Sequence, residues 1–180
     1  GSEMCIRDRI AGSVVGTYWF LMMIGRLCGA SIGAKVSSRA MLTVVSTVGI
    51  VLVLGAIFCA DNILVNMPVF KSDISFGFAQ VPVNVMLLIL CGLCTSVMWG
   101  GIFNLAVEGL GKYTAAASGL FMVMVCGGGI LPLIQGGVAD FAGFLNSYWV
   151  IALGLAYILF YAAIGSKNVN TDIPTDDYEA

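Results

Sequence analysis

Cys91 and Cys94 form the one arrangement in this 180-residue chain whose type and spacing suit covalent chemistry. In soluble proteins a C-x-x-C pair serves thiol exchange or zinc binding. Here the pair sits inside an apolar run, where cysteine behaves as a small hydrophobe, and packing is the expected role. His is absent, which removes any imidazole base and any His-containing metal site. No second cysteine pair completes a metal centre, so no catalytic group, metal or cofactor is expected.

The remaining candidates are small or polar residues at helical spacing. Gly92, Ser96, Gly100, Asn104 and Glu108 recur at intervals of four, and so share one slowly drifting helical stripe. Small residues on such a stripe let helices approach closely. Asn104 carries an amide that cannot face hydrocarbon without a partner. Two readings stand. In one, the stripe is a packing seam and Asn104 bonds a neighbouring helix. In the other, the helix lines an aqueous cavity, with Asn104 and the adjacent Trp99 facing solute. Glu108 closes the stripe beside Gly109 and Gly111. An acid within a membrane helix is a functional candidate, but at the end of its run a gating or loop-anchoring salt bridge is expected before proton coupling.

A second group comprises Gly127, Gly128, Gly129, Pro132 and Gln135. Three consecutive glycines cost ~1 kcal/mol each relative to alanine in a water-exposed helix. Pro132 removes a backbone donor and favours a kink. Together they predict a helix that packs tightly and bends. Upstream, Tyr18 and Trp19 lie in mid-segment, where a cavity or packing role is expected. Arg26 follows Gly25, either as a simple basic flank or as a conformational latch.

Hydropathy identifies the elements that must position these residues. Residues 40–166 hold six charged side chains, Asp61, Lys71, Asp73, Glu108, Lys112 and Asp140, each at the end of an apolar run. A helix needs ~20 apolar residues to cross a bilayer. Mean hydropathy of +1.00 with 10% charged residues excludes an ordinary soluble domain and a disordered chain. No basic patch for nucleic acid is present. The predicted class is an all-α polytopic membrane protein with five transmembrane helices, at about residues 10–27, 40–60, 83–107, 114–138 and 147–164.

Lys and Arg in the flanks set the expected orientation. Arg26, Lys35, Arg39, Lys112 and Lys167 fall on one side and Lys71 on the other. That places the C-terminus in the cytoplasm and residues 61–82 outside. This longest connection, interrupted by Pro68 and Pro82, is expected to be a loop. The polar residues 166–180, with Asp172, Asp176, Asp177 and Glu179, are expected to be a solvated cytoplasmic tail. Residues 1–9, GSEMCIRDR, look like the in-frame translation of a transposon adapter used in sequencing libraries, and are set aside from fold reasoning. Five spans opening without a natural start then suit a truncated polytopic protein.

Residues 96–140 carry a resemblance. Ser96 to Phe103, Gly109 to Thr114, Ser118, Gly127-Gly128, Pro132 and Gly136 to Asp140 follow one another in the order and spacing of the fucose–proton symporter family, sugar transporters within the major facilitator superfamily. Tyr18-Trp19 and residues 23–26 look like that family's eighth helix. The resemblance implies helices eight to twelve of a twelve-helix transporter of the bacterial inner membrane. The N-terminal bundle and helix seven would then be missing partners, and the family's proton-coupling carboxylates would lie in that missing bundle. It further implies a monosaccharide substrate, a proton as coupling ion and alternating access, with the chain inactive alone. Trp99 and Gly100 stand where other members often have Tyr and Pro, so a different sugar or a polyol is a possible substrate. On this reading Trp99 stacks on a sugar face, while Asn104 and Gln135 bond hydroxyls. Arg26, Glu108, Gly127, Gly128 and Pro132 serve gating or structure. A complete five-helix scaffold or assembly protein is the alternative, and a thiol oxidoreductase using Cys91 and Cys94 the enzymatic one.

Overall fold

The computed structural model describes residues 2–33, 35–59, 63–70 and 75–167. Asp61, Lys71, Asp73 and nearly all of the expected tail, residues 168–180, lie outside the described residues. Among the described residues six α-helices and two paired strands follow in order: α1 (Ser2–Gly33), α2 (Ser38–Phe58), β1 (Leu64–Phe70), β2 (Phe76–Pro82), α3 (Val83–Val107), α4 (Thr114–Met124), α5 (Gly127–Ala142) and α6 (Phe144–Phe160). They make five stretches long and apolar enough to cross a membrane, with α4 and α5 together forming the fourth. The chain is a polytopic helical membrane protein, as its hydropathy predicts.

The surface confirms the solvent. Leu133 is 78% exposed and Phe141 96% exposed, among many other large apolar side chains turned outward. A water-soluble protein does not present apolar patches of this extent. Hydroxyls inside the helices bond back to their own backbone, as Thr43 does to the Arg39 carbonyl at 2.8 Å and Ser118 to the Thr114 carbonyl at 2.7 Å. No hydroxyl so bonded presents a bare polar group to hydrocarbon.

Helix α3 is the hub, with α1 and α2 packed on it and α6 packed on α2. Its fit to α1 rests on glycine. A Cβ on Gly25 would collide with Ser96 and stand 3.1 Å from the Leu93 carbonyl oxygen. A Cβ on Gly92 would stand 2.9 Å from the Tyr18 ring. Gly29, one turn beyond Gly25, meets Val97 in the same way. The two helices therefore touch backbone to backbone, the geometry that small-x-x-x-small spacing permits. The Tyr18 and Thr95 hydroxyls bond across the seam at 3.2 Å.

Helix α3 also meets α2 and α6 in the main apolar core, which holds Leu42, Val53, Met98 and Leu155 with Cys91 and Cys94 as free thiols. Arg39, at the start of α2, donates to the Ser166 carbonyl oxygen at 2.9 Å. This places a cation at the C-terminal end of the last span, where the helix dipole favours it. Ser46 is fully buried in α2 and its hydroxyl has no partner among the described residues. An unsatisfied buried hydroxyl costs about 1–3 kcal/mol, so Ser46→Ala is expected to raise the midpoint of thermal unfolding in detergent. A fall in that midpoint would show that the hydroxyl is satisfied.

Three features depart from the sequence expectation. The first span runs to Gly33, six residues past its expected end, because Gly25, Gly29 and their neighbours are held against α3 and do not end the helix. The fourth span breaks at Val125-Cys126, ahead of Pro132. Pro132 cannot donate to the Gly128 carbonyl, and the turn before it tightens into i→i−3 bonds from Val125, Cys126, Gly128 and Gly129. Gly143 joins α5 to α6 at φ 93°, a conformation only glycine adopts without strain.

The third departure is that β1 and β2 pair as antiparallel strands, where a loop was expected. Val65↔Val81, Met67↔Ala79 and Val69↔Gly77 pair on one face, Asn66↔Gln80 and Pro68↔Phe78 on the other. Pro68 is tolerated because each strand of a two-stranded sheet has a free edge. Met67, Val69 and Val81 are buried beside Ile89 of α3 and Val14 and Leu21 of α1. At the end of β1 the Phe70 amide donates to the Thr17 hydroxyl at 2.9 Å, and Phe70 stacks on Phe20 at 5.3 Å. Thr17→Val removes that acceptor at a buried site, at a cost of about 1–3 kcal/mol. Faster proteolysis within residues 64–82, with helicity unchanged, is the expected result. Unchanged proteolysis would show the strand pair is held by its apolar face alone.

Candidate cleft at the basic end of the bundle

The stripe on α3 divides into two halves. Gly92 and Ser96 are buried in the seam with α1, whereas Gly100 has no atom within 4 Å of where its Cβ would stand and Asn104 is exposed. Between these halves α1 and α3 part, and the N-terminal turn of α2 completes a cleft of about 420 Å³. Arg26, Gly29, Ser38, Ser96, Trp99 and Asn104 are among its lining residues. Packing holds for the first half of the stripe and an open cavity wall for the second.

Local structure explains each position. Arg26 follows Gly25, whose contact with Ser96 fixes the rotation of α1 and sends the next side chain past the seam. Trp99 is 45% exposed and its ring meets Phe121 of α4 edge-on at 5.2 Å. Phe103 meets the same ring at 5.4 Å, so α4 supports the aromatic wall of the cleft. Asn104 makes no side-chain hydrogen bond among the described residues, which leaves a donor and an acceptor for a solute.

The arrangement joins a guanidinium, an amide and a broad aromatic face in an open cavity. Arg donates only, whereas Asn both donates and accepts. A flat ring beside such groups suits a small polyhydroxylated molecule, with one apolar face and hydroxyls around its edge.

The other candidates lie elsewhere. Gln135 is half-buried on α5 and is not part of the cleft lining. Glu108 caps the C-terminus of α3, exposed, one turn beyond Asn104, and no ion pair involves it among the described residues. Gly127, Gly128 and Pro132 sit at and just after the break between α4 and α5. Neither Gly127 nor Gly128 has an atom within 4 Å of a built Cβ. The tight packing expected of this helix is not made within the described chain. Trp19, expected in a cavity or a contact, is 61% exposed and meets Tyr18 edge-on. Gly29 and Phe121 shape the cleft and were not foreseen. The Gly25-x-x-x-Gly29 spacing was a legible sign of the first, while the second required the fold.

Comparison with known proteins adds an independent line. A glucose/galactose transporter of Brucella abortus is 44% identical over 77 residues, 43% of this chain and 19% of that protein. A Helicobacter pylori protein provisionally named a glucose/galactose transporter is 32% identical over 155 residues, 83% of this chain and 33% of that protein. The L-fucose-proton symporter of Escherichia coli is 33% identical over 92 residues, 51% of this chain and 21% of that protein. The chain thus matches a third or less of the length of these relatives. No family model and no solved structure matches it.

Proposed function

Because the chain belongs to the sugar transporters of the fucose-permease type in the major facilitator superfamily, we propose that it contributes a sugar-binding wall to a proton-coupled monosaccharide transporter. The observation that carries the reading is the cleft that brings Arg26, Trp99 and Asn104 together. Trp99 stacks on an apolar sugar face, and Asn104 bonds ring hydroxyls. Gln135 lies on another helix and would reach the solute only through a movement of α5. Hexoses of the glucose, galactose and fucose type are the substrates to test first, as the names of the relatives direct.

The relatives are at least three times longer than the segments they share with this chain. Transport is therefore assigned to the larger protein of which this chain supplies five spans, expected to be helices eight to twelve. The open faces of Gly127 and Gly128 support that reading, since a further bundle would pack on them. The basic end carries Arg26, Lys35, Arg39, Lys112 and Lys167 and faces the cytoplasm of a bacterial inner membrane. Coupling is to protons, through carboxylates outside this chain, and Glu108 acts at the gate.

The test is uptake of labelled glucose, galactose and L-fucose by cells lacking their own transporters and expressing the complete reading frame. Uptake of at least one sugar, abolished by a protonophore, is expected. Failure to move any of them, with the protein present in the membrane, would overturn the assignment.

A further inference from the structure

The structure contains a second concavity, chemically unlike the first. Helices α1 and α2 pack on α3 more than on each other, and the wedge left between them is a groove of about 360 Å³. Its lining includes Cys28, Ile32, Val36, Ala40, Val44 and Leu93, and it is almost wholly apolar. From Gly25 to Ile32 it follows α1 for seven residues, about 10 Å at 1.5 Å each. That is most of one leaflet of a hydrocarbon core ~30 Å thick.

Charge sits at only one end of this groove. Lys35 stands between the lining residues Ile32 and Val36, and is exposed without an ion pair among the described residues. Arg39, beside the lining residue Ala40, is turned to the Ser166 carbonyl oxygen, and Arg26 lines the first cleft, so Lys35 is the cation left for this groove. No acid occurs between Asp8 and Asp61. Val48, one turn beyond the lining residue Val44 on the same face of α2, is exposed and apolar, so the surface next to the groove faces lipid.

We propose that this groove is a binding site for an anionic phospholipid. One acyl chain lies along Ile32, Val44 and Leu93, and the headgroup phosphate meets Lys35. The apolar wall selects a chain and the unpaired Lys35 selects a negative headgroup. A zwitterionic lipid gains the first but little of the second. A juxtamembrane cation contributes about 1 kcal/mol toward an anionic headgroup.

Native mass spectrometry of the purified 180-residue chain, in detergent with equal phosphatidylglycerol and phosphatidylcholine, tests the proposal. Retention of one phosphatidylglycerol in preference to phosphatidylcholine is expected. Lys35→Gln should lower that preference about fivefold, and inorganic phosphate should not displace the lipid. Val44→Trp fills the groove and should remove retention of both lipids, with circular dichroism confirming helicity. Should that variant lose helicity, Ala40→Leu makes the same test with a smaller side chain. Equal retention of the two lipids, retention unaffected by the filling substitutions, or displacement by phosphate alone would overturn the proposal. So would a dimer of the chain that Val44→Trp disrupts, because a second copy would then occupy the groove.

Discussion

Gly25→Leu is expected to separate α1 from α3 and to prevent the chain from reaching its folded state. On helix propensity alone the substitution is favourable by roughly 1 kcal/mol, so any loss must come from packing. A Cβ at position 25 already meets Ser96, and behind it the Leu93 carbonyl oxygen at 3.1 Å. Backbone cannot rotate away as a side chain can, which places the cost at or beyond the upper end of the ~1–3 kcal/mol typical of overpacking. The sign is therefore destabilising by about 2 kcal/mol or more. Gly128→Leu supplies the contrast, for nothing lies within 4 Å of a Cβ there. In this chain it is expected to be neutral or mildly stabilising. Thermal unfolding of the two variants in the same detergent checks both signs, and equal midpoints would remove the glycine seam from the account.

The second large effect concerns the solute. In the complete transporter, Trp99→Ala and Asn104→Ala are each expected to raise KM for sugar while leaving the amount of protein in the membrane unchanged. Loss of one neutral hydrogen bond is worth about 1 kcal/mol, or about fivefold in affinity. Loss of the indole face removes apolar contact at about 25 cal/mol per Å², on the order of tenfold for a partly covered ring. Both residues are exposed and neither supports the apolar core, so destabilisation does not mimic the effect. Wild-type KM in both variants would remove them from the sugar site.

Much of this architecture is legible in the sequence, because a bilayer imposes length and apolarity on every span. The third span, residues 83–107, matches the observed helix at both ends. Polar flanks and Pro82 mark those ends without ambiguity. The first span is longer than its hydropathy implies, since Gly29 and Gly33 look like terminators until a partner helix is placed against them. The strand pair eluded the sequence reading for a different reason. Pro68 and Pro82 are breakers in a helix or a central strand but not at a free edge or a strand end. Pro132 signalled a bend, yet the break falls several residues earlier, at Val125-Cys126.

The site was legible in part for the same kind of reason. The four-residue period of Gly92, Ser96, Gly100 and Asn104 shows that they share a face of α3. It cannot show where α1 ends its contact with that face. That point falls between Ser96 and Gly100, and it separates packing from cavity. Arg26 joins the cleft through the rotation that Gly25 imposes on α1. Gln135 carries an equally suitable side chain, but α5 holds it away from the other three residues.

Sugar protection of a thiol at position 104 tests the proposed role of the cleft most directly. In the complete transporter, with its native cysteines replaced, Asn104→Cys is labelled by a membrane-impermeant thiol reagent on inverted vesicles. Lys112→Cys, exposed at the same basic end of the bundle, serves as the control. The account predicts that a transported sugar slows labelling at position 104 and leaves position 112 unaffected. Labelling at position 104 that proceeds at the same rate with and without saturating sugar would contradict it.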